Sequence, residues 1–282
     1  MRGHGTNRDG RPGKTVVVLA MAGLALALAA APSAAGGQEL ARRVSAVEDG
    51  NAVLSFATRP GVEICDDGIR MGDDRMSWNS HRGRLGPGAC QAGPARVELK
   101  IRNGGVRDME VLRRLERPAS DAVDLGEVPP KLAVSYFLEL ARTGGPGGRD
   151  LEEAVFPVIL ADVQEVWRDL MALARDQSVG ADTRSSALFW LSQEAAAVVT
   201  EGLARVALDE EEDQEVREAA VFALSQRPDV EGVPILMDVA RTASHPETRE
   251  AAMFWLAQSG DKRVVPFFEA ILLGRGGDPS GG

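Results

Sequence analysis

Apolar and polar positions in the second half of the chain follow a pattern that returns at a fixed interval. Residues 183–193 read TRSSALFWLSQ, 216–226 read VREAAVFALSQ and 248–258 read TREAAMFWLAQ. Arg184 and Arg217 are 33 residues apart, and Arg217 and Arg249 are 32 apart. A period of this size is the mark of stacked helical pairs, each of which buries its apolar face only against its neighbours. The period extends backwards. Ala154, Val155 and Phe156 precede Ala187, Leu188 and Phe189 by 33, and Leu170, Leu173 and Ala174 precede Leu203, Val206 and Ala207 by the same step. Phe137, Leu140 and Ala141 add one more. The pattern predicts four complete helix pairs and the second helix of a fifth over residues 131–274.

The predicted boundaries agree with that register. Asp182 and Asp213 are placed to cap first helices, and Ser244 with Glu247 has the spacing of a capping box. Gly260 and Arg227-Pro228 supply stops, and Pro234 and Pro266 fall in the first turns of second helices. First helices are apolar almost all round, so they must be covered on several sides. The position after each repeated Phe reads Trp190, Ala223, Trp255, a large–small–large order that implies volume compensation between layers. Arg184, Arg217 and Arg249, and Gln193, Gln226 and Gln258, should form two polar ladders with a structural role.

Before residue 116 the period changes. Val97, Leu99 and Ile101 alternate with polar neighbours, then Asn103-Gly104-Gly105 forms a turn and residues 106–112 return, the signature of a hairpin. Residues 43–47 and 52–58 flank Glu48-Asp49-Gly50-Asn51 and read as a second hairpin. Residues 38–115 are therefore read as a small antiparallel β module, 116–130 as a linker and 275–282 as a disordered tail. The fold class is mainly α: an α-solenoid of four to five helix pairs after a β module with one disulfide.

Residues 1–35 carry Arg2, Arg8, Arg11 and Lys14, then an apolar run from Val16 to Ala31, then Ser33-Ala34-Ala35. That order is the pattern of a secretory signal peptide cleaved after Ala35, with a run too short for a spanning helix. The whole chain carries −10, and losing the four basic residues and Asp9 leaves −13. Such a charge disfavours nucleic acid and anionic lipid as partners. In an oxidising compartment the two cysteines, Cys65 and Cys90, are expected to pair, closing a loop that stabilises by about 3 kcal/mol.

The search for chemistry returns little. Asp66-Asp67 and Asp73-Asp74 fit no EF-hand spacing and read as a solvated loop, with Trp78 over the disulfide. His81 lies in the same segment. With only three histidines in the chain, a zinc site lacks ligands. Gly144 to Gly148 follows a helix and lacks the Lys-Ser/Thr of a phosphate loop. His245 reads as a surface turn and Glu210-Glu211-Glu212-Asp213 as a solvated acidic run. No catalytic, cofactor-binding or metal residue is assigned. Contact residues are sought on the second helices, taken to line the concave face: Trp167, Arg168, Glu201, Arg205, Met237, Asp238, Arg241 and Glu269. The charge-poor last helix adds Phe267 and Phe268 as a docking patch.

The repeated phrase, x-Arg-x-x-Ala-Ala-x-x-Leu in first helices and Val233-Pro234-Ile235-Leu236-like phrases in second helices, resembles HEAT repeats, including the variety first named from phycobiliprotein lyases. The chain looks most like secreted bacterial HEAT-repeat proteins with an N-terminal β module and a cysteine-bounded loop. The likeness is one of repeat type and carries no activity with it. The resulting expectation is an exported, non-enzymatic scaffold that binds a protein partner in the cell envelope and needs no cofactor. Two alternatives stand beside it: an accessory subunit or lyase-like enzyme using the solenoid face, and a sensor whose β module binds a ligand.

Overall fold

The computed structural model describes residues 32–71, 76–78, 89–194 and 197–273. The signal-peptide reading of residues 1–31, the Asp73-Asp74 pair, His81 and the tail after residue 273 lie outside the described residues, as does the side chain of Trp78.

The described residues begin with helix α1 (Pro32–Ser45), whose end the sequence pattern places in a strand. Residues 43–47 are the end of this helix and the turn after it, not one arm of a hairpin. Leu40 and Val44 lie four apart on one helical face and are both buried, whereas alternation would have put Val44 opposite its neighbours. Strand β1 (Gly50–Phe56) then pairs antiparallel with β6 (Ala95–Arg102), which pairs antiparallel with β7 (Gly105–Val111). Val97, Leu99 and Ile101 all point inward as their alternation requires, and Asn103 and Gly104 make the turn at positive φ.

The stretch read as a linker supplies β8 (Val123–Glu127), which lies parallel to β1 and closes a sheet of order β7-β6-β1-β8. Its alternation is invisible because only Leu125 faces the core. Residues 113–116 ahead of it are gathered by Arg96, whose guanidinium donates to the carbonyls of Arg113, Arg114 and Glu116 at 2.9, 3.4 and 2.7 Å. A second sheet, β4-β3-β2-β5, holds β2 (Val62–Cys65), β3 (Ile69–Met71), β4 (Met76–Trp78) and β5 (Cys90–Gln91). Cys65 and Cys90 face each other across β2 and β5 and are bonded. Arg114 grips Asp66 with two hydrogen bonds of 2.7 and 2.9 Å, so this acid is an anchor and not a loose ligand. That guanidinium holds the Asp66 carboxyl below its ordinary pKa.

Helices follow at the intervals the period predicts: α2 (Pro130–Thr143), α3 (Val155–Leu160) after a 3₁₀ turn at Glu152–Ala154, α4 (Trp167–Ala174), α5 (Ala181–Ser192), α6 (Ala197–Ala207), α7 (Gln214–Ser225), α8 (Asp229–Thr242), α9 (Pro246–Ser259) and α10 (Val264–Leu272). First helices α5, α7 and α9 lie side by side, and α6 lies beside α8. The strands and helices share one core. From Pro32 onwards the chain is a single compact unit, and buried apolar residues run without a break from Leu40 in α1 to Phe267 in α10. Phe56 of β1 meets Phe137 of α2 with ring centroids 6.0 Å apart. Main-chain bonds from Arg59 to Leu160 (2.9 Å) and from Asp162 to Ala57 (3.0 Å) stitch the end of β1 to the end of α3.

Capping departs from expectation. Asp213 is the N-cap of α7 but makes no side-chain cap bond, because Arg184 takes its carboxylate. Gly180, not Asp182, caps α5, and His245 precedes α9 while Ser244 turns to Glu210. Gly260 does end α9 in the left-handed conformation at φ 67°. Helix α8 starts a turn earlier than its proline implies, which leaves Pro234 inside it on the exposed side.

Two arginines of the ladder, Arg184 and Arg217, are buried clamps between repeats, and the third, Arg249, is half-buried and bonds within its own repeat. Arg184 is 2% exposed; its Nε donates to the Val179 carbonyl at 2.9 Å, and its other nitrogens reach Glu212 and Asp213 ahead of the next repeat. Arg217 reaches back to the Glu212 carbonyl and forward to Thr248 at 3.2 Å. Arg249 donates to the carbonyls of Ala243 and Ser244 at 2.6 and 3.1 Å. At the other ends of the helices, Arg227 covers the last carbonyls of α5 at Ser192 and Glu194 and pairs with Glu231 at 2.9 Å.

Two predictions follow from the packing. Arg184→Met strands the buried Glu212 carboxylate and should cost about 3–5 kcal/mol in urea unfolding, while Arg184→Met with Glu212→Leu recovers most of it. Single and double variants of equal stability would refute the clamp. Ala223, fully buried between the aromatic layers, has no room for an indole. Ala223→Trp should lower stability by about 1–3 kcal/mol, and an unchanged melting temperature refutes the volume argument.

Candidate functional site

The first helices carry a face that recurs three times. Asp182, Ser186 and Phe189 stand at i, i+4 and i+7 on α5; Glu215, Ala219 and Phe222 do so on α7; Glu247, Ala251 and Phe254 on α9. Side by side, these helices align an acidic row, a row of small residues and an aromatic row. The aromatic row is continuous. Phe156 stacks on Trp190 at 5.0 Å, Phe189 on Phe222 at 6.3 Å, and Phe222 meets Trp255 at 5.0 Å. Phe254, 55% exposed, closes the row edge-on to Trp255.

At one end this face meets the first sheet in a cleft of 610 Å³. Ile69, Lys100, residues 108–111 and Arg113 form its strand side; Glu152, Glu153, Phe156, Asp182, Ser185, Ser186, Phe189, Trp190 and Glu215 form its helix side. Six carboxylates therefore share the cleft with two cations, and both cations are committed: Lys100 to Asp108 at 2.8 Å and Arg113 to Glu116 at 3.0 Å. Crowding shows in the titration. Desolvation, then the charges of Asp182 and Glu153, raise Glu152 above its usual pKa. Desolvation, then the charge and hydrogen bond of Asp182, raise Glu215. Among the described residues, the Ser185 hydroxyl and one Glu153 oxygen are buried without a hydrogen-bond partner.

Further along, α7 and α9 flank a second hollow of 650 Å³, lined by Gln214, Glu218, Ala219, Phe222, Glu247, Glu250, Ala251, Phe254 and Trp255. It has no basic residue in its lining.

The residues sought on second helices lie elsewhere. Trp167 is half-buried under the Arg168 guanidinium, 5.1 Å from its ring, and Arg168 pairs with Glu165 at 3.1 Å. Glu201 and Arg205 pair with each other at 3.7 Å on the surface of α6. Met237 is half-buried, and Asp238 and Glu269 are exposed. Arg241 covers the ring of Phe267 at 4.6 Å, and Phe267 is buried. Phe268 is half-buried, so the exposed apolar surface of α10 belongs to Val265 at its start and to Leu272 and Leu273 at its end instead. None of these residues lines the cleft or the hollow. The first-helix face went unread because each helix is apolar on several sides, which hides the i, i+4, i+7 stripe. The signal was the shared spacing of one acid, one small residue and one aromatic in all three copies.

Residues 200–278 match the family model for HEAT repeats, so this part of the chain is similar to proteins whose repeats generally mediate protein–protein interaction. No curated protein matches the chain. Among the described residues, no group of acids, histidines or cysteines is placed to hold a metal ion, and no helix is long and apolar enough to cross a membrane.

The raised Glu215 pKa has a definite sign. The folded state disfavours the ionised carboxylate, so stability is lost as pH rises from the ordinary value of 4.5 through the raised one. Glu215→Gln removes that penalty. Its melting temperature should exceed that of the parent at pH 7, with the difference vanishing at about pH 4; a constant difference across that range refutes the coupling.

Proposed function

We propose that the chain is an exported protein-interaction scaffold of the cell envelope, built as a regular solenoid of four helix pairs and the second helix of a fifth, with the strands as its N-terminal cover. The observation that carries this reading is the acid–small–aromatic face repeated on α5, α7 and α9 within and beside the stretch similar to HEAT repeats. Contact surfaces draw on aromatic anchors at their centres and polar groups at their rims, and this face has both. Export is supported by the basic, apolar and small-residue order of residues 1–35 and by the bonded cysteines. Cleavage after Ala35 leaves Leu40 and Val44 to hold the remainder of α1 in the core.

A second reading, an accessory subunit or lyase-like enzyme, draws on the cleft beside the strands. Its crowded carboxyls, Glu152 and Glu215, have the raised pKa values that acid–base chemistry uses. The charge pattern continues beyond the cleft to α9, where there is no enclosure for a reaction. That extension favours the scaffold.

A photoreactive amino acid at Glu218, on the first-helix face, and at Asp238, on a second helix, tests the scaffold in native envelopes. Protein adducts should form from Glu218 and not from Asp238. Absence of a protein adduct from both positions overturns the scaffold reading, and an exported chain that retains residues 1–35 overturns the cleavage site.

A further inference from the structure

We infer that the α7–α9 hollow binds an extended basic polypeptide segment with a cationic side chain at every third residue. This inference rests on the scaffold reading and specifies the chemistry of its partner.

Glu218, Glu247 and Glu250 line the hollow and Glu215 lines the adjoining cleft, and no arginine or lysine among the described residues makes a salt bridge to any of them. Elsewhere on the molecule some acids do have a cation, as Glu201 has Arg205 and Glu153 has Arg149. Four carboxylates on adjoining helices repel one another, and a bound cation would relieve that repulsion. A partner with net positive charge is thus selected, and acidic or nucleic-acid ligands are rejected.

Geometry sets the spacing. Packed helices lie about 8–10 Å apart. The acidic row therefore advances by that distance per repeat. An extended chain in the polyproline II conformation advances about 3.1 Å per residue and turns once in three, so residues i and i+3 share one side and span one helix. A segment crossing the helices at right angles meets Glu218 and then Glu250, both of which line the hollow, with residues i and i+3. Ala219 and Ala251, small and half-buried, leave the main chain room between the rows. The residues between the cations fall over Phe222, Phe254 and Trp255, where an apolar side chain buries surface and a neighbouring cation gains from the ring faces.

The test uses three synthetic ten-residue peptides of one composition class. The first has lysine at every third position with leucine between; the second has the same residues with its lysines clustered; the third replaces lysine with glutamate. Binding is followed by calorimetry and by tryptophan fluorescence, to which Trp255 contributes. The spaced-lysine peptide should bind at least about tenfold more tightly than the clustered one and should weaken with salt as ion pairs are screened. The glutamate peptide should not bind. Glu218→Lys with Glu250→Lys, both surface changes, should weaken the spaced peptide by about tenfold or more, as should Glu215→Lys with Glu247→Lys, and Phe254→Ala should weaken it less. Equal binding of spaced and clustered lysines, or binding indifferent to both charge reversals, overturns the inference. Protein adducts from Glu218 obtained alongside such a failure leave the scaffold standing and remove only the basic, evenly spaced partner.

Discussion

The buried arginines set the distance between repeats, and the acid–small–aromatic face of the first helices inherits that distance. Apolar contact alone holds neighbouring helices together but is indifferent to small slides along their axes. Arg184 removes that freedom, because its planar fork must satisfy Val179 in its own repeat and Glu212 and Asp213 in the next. Arg217 repeats the device toward Thr248, and Arg227 fixes the opposite ends of α5 and α7 through Ser192, Thr200 and Glu231. Clamps at both ends of the same helices determine tilt as well as spacing. Asp182 and Glu215 each stand two residues before an arginine that ties one repeat to the next, so this part of the acidic row is held in line by the groups that hold the stack.

The strands solve a different problem. A stack of helix pairs has two ends, and an uncovered end exposes apolar surface. Here α2 is covered by α1 and by the first sheet through Phe56, Phe137 and the stitched termini of β1 and α3. Arg59 adds a 2.6 Å pair to Glu194, tying the strands to the α5–α6 turn as well. The strand region is thus not a module on a tether. Its placement also creates the cleft, since Lys100, Asp108 and Arg113 form the wall that the helices lack.

Sequence pattern served best where one residue type recurs for a packing reason. The period located α3 to α10, because every layer needs the same buried positions, and the alternation of Val97, Leu99 and Ile101 gave β6. It failed where a single residue carried an element. Strand β8 shows one inward residue, Leu125, and is held mostly by main-chain pairing, which leaves no mark on composition. Helix α1 was mistaken for a strand because Val44 and Val47 are β-branched, although their spacing from Leu40 is helical. Caps failed for a competitive reason: Asp213 and Ser244 found partners in other turns. The site was half legible. The aromatic phrase drew attention to first helices, yet burial in a stack absorbs most such residues. Which of them stay at the surface depends on the partner helices, and that is a tertiary fact.

The acidic face is costly to the fold, and the cost indicates what the face is for. Desolvation, then the like charge of Asp182 on the neighbouring helix, raises the pKa of Glu215, so the folded chain would be more stable without that charge. The stack itself does not require these acids. The clamps use Glu212 and Asp213, the core uses Ala220 and Leu224, and residues at the rim could be neutral without loss of packing. Local conflicts of this kind persist where another demand outweighs stability. Burial of the apolar spine offsets the repulsion, and the clamps prevent the helices from sliding apart to relieve it. Unrelieved charge at fixed intervals beside half-buried rings is what the proposed basic partner would neutralise, and that neutralisation would release free energy that the folded chain alone cannot recover.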